Sequence, residues 1–306
     1  MAVSLPQVDS TADSSARLVC NVCDASVPVG DGLETADVPS NVRRFRGESF
    51  AVWRCPACRC IHARDDVNLD HYYQDYPFQQ QRLDAITRAF FCVSLKRLRR
   101  GGLRLDHSLL DYGCGSGLFL AFLRGRGFAA ARGYDAFAEK FHAPALLDAT
   151  YQCVFSQDVL EHAAAPRELL ALFDQLAAPG GLIVIGTPNA TAVDLSRSAD
   201  CIHTLHQPYH RTILTKAALI ACGRGLGWTV VRHYDTPYVN TRVPFLNVRT
   251  WNRYSRAHDN TLDLAFEPIR VNRALLTWGT LFDGLFGSLR CPATDVMVLF
   301  RKGIRS

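Results

Sequence analysis

Between Ser108 and Asn189 the chain alternates short apolar runs with longer amphipathic stretches. The runs are SLLDYG (108–113), ARGYD (131–135), QCVFSQ (152–157) and GLIVIGTPN (181–189). Between them, GLFLAFLRGRG (117–127) and PRELLALFDQLA (166–177) carry their apolar residues at helical spacing. Short strands alternating with helices predict βα units on a parallel sheet covered on both faces. Upstream, Leu83, Ile86, Phe90, Phe91, Leu95 and Leu98 predict a helix over 82–100 that stops at Gly101-Gly102. FAVWRC (50–55) reads as a strand. Residues 63–80 are rich in Asp, Tyr and Gln, and Pro77 argues against one long helix there. Downstream, the pattern predicts a Pro-Gly-Gly turn at 179–181 before the last strand of the run. It also predicts a helix over Lys216–Gly223, a helical cap rich in Arg and aromatics over 240–290, and a final strand Asp295–Phe300. The expected division is a frayed tail (1–17), a cysteine module (18–62), a connector and helix (63–104), a catalytic core (105–239), and a cap with the final strand (240–306).

Composition narrows the classes. The 306 residues are 48% hydrophobic and 21% charged, an ordinary globular balance that excludes wholesale disorder. A net charge of +5 is too mild for the basic face of a non-specific nucleic-acid binder. No run approaches the roughly 18–20 apolar residues that span a bilayer. The stretch 274–289 is interrupted by Thr277, Gly279, Thr280, Asp283 and Gly284; an apolar face over Leu275–Leu289 touching a membrane is a lesser alternative. The N-terminus lacks a basic segment followed by an apolar one, so a cytoplasmic location is expected. There the 11 cysteines should be thiols or metal ligands.

Five of those cysteines cluster. Cys20 and Cys23 form one C-x2-C knuckle, and Cys55 and Cys58 form a second after 31 residues. Two knuckles aim four thiolates at one point, the pattern of a structural zinc site, with redox pairs or chance as the alternatives. Cys60 and His62 are spare candidates, Cys60 reading better as a small buried residue. Four thiolates would leave no open position for water, so this metal is expected to hold a fold.

The chemistry concentrates at 111–117, Asp111-Tyr112-Gly113-Cys114-Gly115-Ser116-Gly117, where a strand closes and a helix opens. The spacing is GxGxG rather than the GxGxxG of dinucleotide sites, and Asp111 would repel a pyrophosphate. A ligand with an ammonium group and no phosphate fits better, and S-adenosylmethionine is one. Asp135 ends the second strand, where an acid can accept from both ribose hydroxyls. Asp158, Glu161 and His162 follow the next strand at i, i+3 and i+4, on one face of a helical turn.

Over about 105–235 these motifs resemble the class I S-adenosylmethionine-dependent methyltransferases. The nearest likeness is the small-molecule group with ubiquinone-type O-methyltransferases, through Asp158-Val159-Leu160-Glu161-His162 and Pro179-Gly180-Gly181 to Thr187-Pro188-Asn189. A cysteine module and Tyr-rich connector ahead of such a domain resemble several bacterial methyltransferases, including sugar C-methyltransferases. The resemblance implies a Rossmann-like sheet. It implies Asp111, Gly113, Gly115 and Gly117 at the methionine end, Asp135 on the ribose, and Gln157 at the strand lip. Only 15 residues separate Asp135 from Tyr151, so the family's third strand should be vestigial or absent. Phe137 then packs either on the adenine or in the core.

For proton removal from an acceptor, His162 is the first candidate base, tuned by Glu161 or Asp158. The resemblance also raises a divalent cation on Asp158, Glu161 and His162. His203, His206 and His210 form a second cluster, with His210 a base or substrate ligand and a zinc on all three a lesser alternative. Tyr72, Tyr73 and Tyr76 pack the connector or close over the cofactor. The leading expectation is O- or C-methylation of a small molecule. The alternatives are an RNA methyltransferase gripping nucleic acid through the zinc module, and a non-catalytic zinc-bearing binding protein. Against the RNA reading, Ser156-Gln157-Asp158-Val159 lacks the Asn/Asp-Pro-Pro-aromatic turn of enzymes that methylate base amines.

Overall fold

The computed structural model describes residues 17–74 and 81–304. The N-terminal part contributes β1 (Arg17–Val19), β2 (Ser26–Pro28), β3 (Thr35–Pro39), β4 (Ser49–Arg54) and β5 (Ile61–Ala63). Then come α1 (Leu69–Tyr73), α2 (Ala85–Arg100), β6 (Leu109–Tyr112), α3 (Leu118–Arg124), β7 (Ala131–Tyr134), β8 (Tyr151–Gln157), α4 (Pro166–Leu176) and β9 (Ala177–Pro188). The chain continues with α5 (Ile202–Leu205), β10 (Thr212–Ile213), α6 (Lys216–Gly225), β11 (Thr229–Tyr234), α7 (Val248–Arg256), α8 (Trp278–Phe286) and β12 (Asp295–Arg301).

The main sheet has the order β11-β12-β9-β8-β6-β7. β6 to β9 run parallel, and β12 is antiparallel to both neighbours. This is the Rossmann-like α/β sheet expected. The central strands are buried on both faces: every residue of β9 from Leu182 to Pro188 is inaccessible. α2 and α3 cover one face through Leu95, Leu98, Phe122 and Leu123, and α4 and α6 cover the other through Leu170, Phe173 and Leu219. Burying each such side chain is worth about 1.5–3 kcal/mol.

α2 starts three residues later than the pattern suggests because the Asp84 carboxylate caps it, accepting from the Thr87 N–H at 2.9 Å. The expected third strand is absent among the described residues. Between β7 and β8 there are only 3-10 turns, at Glu139–Phe141 and Pro144–Asp148, so β7 is the sheet edge. A parallel crossover needs a dozen or more residues by itself, and 15 cannot supply that and a strand. The Pro-Gly-Gly segment lies inside β9 rather than before it. Ala177 pairs with Tyr151 and Leu182 with Cys153, so the intervening residues bulge out.

The cysteine module is stitched to the core. β3, β4 and β5 continue into β10, a strand from the predicted catalytic core, in the order β10-β5-β4-β3. Thr212 pairs with His62 and Ile213 with Ile61. The buried Arg54 guanidinium donates to the carbonyls of Ala190 at 3.0 Å and Val193 at 2.6 Å, and pairs with Glu34 at 2.8 Å. Cys20, Trp53 and Cys55 join the hydrophobic cluster of Leu170 and Leu219. Arg17, assigned to the tail, already pairs with Pro28; the rest of that tail lies outside the described residues. The cap is anchored by Arg43, which pairs with Asp259 at 2.6 Å and with Glu267. Among the described residues no helix is long and apolar enough to cross a membrane.

Candidate active site and cysteine centre

Each C-x2-C segment turns back on itself. The Asp24 N–H donates to the Cys20 carbonyl and the Arg59 N–H to the Cys55 carbonyl, both at 2.9 Å, with Asp24 and Arg59 left-handed. The two turns bring the sulfurs of Cys20, Cys23, Cys55 and Cys58 within 4.8 Å of one another. Cys20 lies 3.5 Å from Cys58, and Cys23 lies 3.7 Å from Cys55. Tetrahedral zinc with Zn–S of about 2.3 Å requires sulfurs about 3.8 Å apart, so the four fit that ion. His62 is no fifth ligand: its Nε2 lies 3.2 Å from the Cys20 sulfur while its ring stacks on Trp53. That is the place of an N–H donor to a thiolate. Cys60 is fully buried and outside the group. The contact with Cys58, then burial, raises the Cys20 thiol.

The glycine turn sits between β6 and α3. The Gly113 and Cys114 N–H groups donate to the Tyr134 carbonyl, tying the turn to β7. Gly113 and Gly117 are left-handed, and a Cβ would lie 2.2 Å from Val159 at the first and 2.2 Å from Phe141 at the second. A Cβ at Gly115 would meet nothing within 4 Å, so the turn presents bare backbone to open space there. Asp111 is 4% exposed and its Oδ2 has no hydrogen-bond partner. Burial, and secondarily Asp135, raise its carboxyl to about 7. Asp135 is already engaged: Oδ1 accepts from the N–H groups of Phe137 (2.8 Å) and Ala138 (2.9 Å), and Oδ2 from that of Gly115 (2.8 Å). It braces the glycine turn against the loop after β7, with lone pairs left over. Phe137 is 87% exposed and stacks on Tyr73 at 5.9 Å, so it is not core.

Gln157 ends β8 with its amide flat against Gly186, where a Cβ would collide with Oε1. Its Nε2 donates to Asp158 Oδ1 at 2.6 Å. Asp158 is left-handed, and the Tyr238 hydroxyl lies beside it. The residue is exposed at its outer side, but the protein packed around its carboxyl desolvates it and raises it to about 6. Nearby Asp295 is raised to about 7, by burial and then by Asp158.

Glu161 faces elsewhere. It is wholly buried, its Oε2 accepts from the Thr187 hydroxyl at 2.9 Å, and its Oε1 lies 3.9 Å from His210 Nε2. Burial, then Asp158, holds its carboxyl well above the usual range. His210 donates from Nδ1 to the Thr204 carbonyl at 2.9 Å, which leaves Nε2 as the lone-pair nitrogen toward Glu161. His162 is half-buried, and its Nδ1 lies 2.8 Å from the Tyr73 hydroxyl. Burial lowers the His162 imidazole to about 4 and pushes His210 well below its ordinary value. Both are neutral at pH 7.

The site therefore differs from the sequence pattern in three ways. Ligand atoms of Glu161, His162 and His210 lie within 4.8 Å of one another, whereas Asp158 has turned to Gln157 and Tyr238. The three histidines of the second cluster do not form a metal group among the described residues. His203 lies between Asn41 and Asn260, and His206 Nδ1 contacts Asn41 Oδ1 at 2.5 Å. Tyr73 reaches from the loop of Phe137 to His162, while Tyr72 donates to Glu48 and packs on Phe45 and Phe50; Tyr76 lies outside the described residues. Sequence reasoning gave no site role to Tyr238, Asp295 or Thr187. Tyr238 lies on a segment without a motif, and Asp295 and Thr187 belong to predicted strands whose pattern assigns them no chemistry; only the folded chain brings the three together.

A family model described as a methyltransferase domain matches residues 71–233, more than half of the chain. No curated protein matches the sequence. Among solved structures, a methyltransferase of Haloferax volcanii in complex with the activator Trm112 is 13% identical, covers 78% of this chain and 99% of that chain, and superposes with a TM-score of 0.50. A sarcosine dimethylglycine methyltransferase from Galdieria sulphuraria is 16% identical over 72% of this chain and 87% of that one, with a TM-score of 0.45. An S-adenosylmethionine-dependent methyltransferase from Archaeoglobus fulgidus is 17% identical over 69% and 94%, with a TM-score of 0.42. The chain belongs to the methyltransferase-domain family and is a methyltransferase built on the Rossmann-like sheet of the class I enzymes.

Proposed function

We propose that the enzyme methylates a hydroxyl of a small-molecule acceptor, with Glu161, His162 and His210 beside the acceptor. The observation that carries this reading is that buried group at the carboxyl ends of β8 and β9. The glycine turn adjoins it, since Val159 packs over Gly113. Ligands bind at this edge of open α/β sheets. The cofactor supplies an electrophilic methyl group. Asp111, whose orphaned Oδ2 suits an ammonium group, holds the methionine end; Asp135 takes the ribose; Gln157 lies at the lip.

Methyl transfer by in-line substitution needs an oriented acceptor and a place for its proton. His162 is that place. It is neutral, and its Nδ1 is the nitrogen that faces the Tyr73 hydroxyl, so an acceptor hydroxyl reaching Tyr73 or replacing it delivers its proton to His162. The second reading is a divalent cation on Glu161 Oε1, His210 Nε2 and His162, favoured by the unpartnered buried Oε1. A bound cation would lower the pKa of the acceptor hydroxyl.

The cysteine centre is proposed as structural zinc that holds β1 to β5 against the core. Calorimetric titration of the zinc-replete protein with S-adenosylmethionine and S-adenosylhomocysteine tests the cofactor assignment. Micromolar binding that is lost in Asp135→Ala is the expected result; absence of binding to either ligand overturns it. A salt-dependent shift of RNA would instead favour the RNA-methylating alternative.

A further inference from the structure

α8 is built inside out. Its buried face is Asp283 and Gly284, followed by Gly287 just beyond its end. Its exposed face is Trp278, Leu281, Phe282, Leu285 and Phe286, continued by Leu289. These positions follow i, i+3, i+4, i+7, i+8 and i+11, the stripe by which a helix buries itself in a core, yet here it faces outward. Trp278 is 86% exposed and Leu289 73%. The orientation is held by chemistry, because Asp283 is gripped by Arg249 at 3.0 Å and Arg253 at 2.6 Å. In addition, the Asn247 amide donates to the Asp283 carbonyl at 3.0 Å. Turning the apolar stripe inward would break that network.

The charge around the stripe is mainly positive. Of the four acids between 240 and 290, three are paired with arginine side chains, Asp259 and Glu267 with Arg43 and Asp283 as above, and Asp263 accepts from the Arg43 backbone N–H. Arg273 and Arg290 are exposed and have no acidic partner among the described residues, and Arg290 borders the same groove as Trp278 and Phe286. The segment contains no lysine. An apolar stripe with an exposed tryptophan and surplus arginine complements a surface that is apolar within and anionic outside.

We propose that α8 docks this enzyme on an anionic lipid bilayer, its Trp278–Leu289 stripe lying in the interface and Arg273 and Arg290 meeting the headgroups. The inference does not depend on the acceptor or the base. The full zinc-replete protein would be sedimented with vesicles of phosphatidylglycerol and phosphatidylcholine, and with vesicles of phosphatidylcholine alone. The expected result is binding to the anionic vesicles that weakens roughly tenfold or more in Arg273→Glu/Arg290→Glu and falls with salt. Phe282→Glu/Leu285→Glu should abolish it. Both variants change exposed side chains, and unaltered melting and S-adenosylmethionine binding would verify that they fold. Equal binding to neutral vesicles, or no binding to either, overturns the proposal. So does a concentration-dependent dimer that Phe282→Glu/Leu285→Glu dissolves, which would make the stripe a contact between copies.

Discussion

Asp111 carries opposed demands. A carboxyl raised in the fold to about 7 from an ordinary 3.8 binds more protons folded than unfolded between those values. Its contribution to stability is therefore present at low pH and lost as pH rises through about 7. Asp111→Asn removes that loss, so the cofactor-free protein should melt higher than the wild type at pH 8 and about equally at pH 4, read by scanning fluorimetry. The same change should abolish S-adenosylmethionine binding, because an amide offers the ammonium group no charge. In the wild type, affinity should rise as pH passes 7. His162 has the opposite sign. Lowered in the fold to about 4 from 6.5, it favours the unfolded chain as pH falls through that window and costs nothing above it. As the base it stays neutral throughout pH 6–8. His162→Ala should lower kcat by about 10²–10⁴ and leave cofactor affinity unchanged. A fall in affinity with kcat intact would remove it from that role.

At the scale of elements, the cysteine centre and β10 have one task. β5 carries His62 and follows the second knuckle, and its outer neighbour is β10, which lies just after His210. A zinc ion on the four cysteines, as proposed, would thus fix the strand that follows His210. If His62 donates to the Cys20 thiolate, His62→Ala should weaken zinc roughly ten- to hundredfold by chelator competition. Unchanged zinc affinity would make His62 a packing residue only. Stripping zinc with a strong chelator should unfold β1–β5 and lower kcat with it, since β10 and the Arg211 N–H, which donates to the Glu161 carbonyl at 2.7 Å, lose their support.

At the scale of the molecule, the N-terminal module and C-terminal cap meet through Arg43, which reaches Asp259, Glu267 and, through its N–H, Asp263. A network of this kind at a half-exposed site is worth about 1 kcal/mol. Arg43→Ala should therefore leave global melting nearly unchanged while speeding amide exchange over 259–267, measured by mass spectrometry. Unchanged exchange over 259–267 would show that the apolar contacts of α7 and α8, not this cation, hold the cap in place.

What the sequence by itself determined is what depends on neighbours along the chain. The alternation of apolar runs set the βα order, since a strand buried on both faces has no other composition available. The GxGxG spacing placed the backbone turn, and each knuckle placed its own two sulfurs, because these structures close within a few residues. The short interval after Asp135 left room for at most a vestigial third strand. Tertiary structure decided the rest. Asp158, Glu161 and His162 share a helical face in the sequence pattern, but the left-handed backbone at Asp158 and the Tyr238 hydroxyl separate them. His210 takes the vacated place because Thr204 orients its ring. Strand β10, split from the module by some 150 residues, completes its sheet. Periodicity shows that α8 has an apolar stripe, but not which way it faces. That was decided by Asp283 and two arginines, whose pairing across the cap no local pattern records.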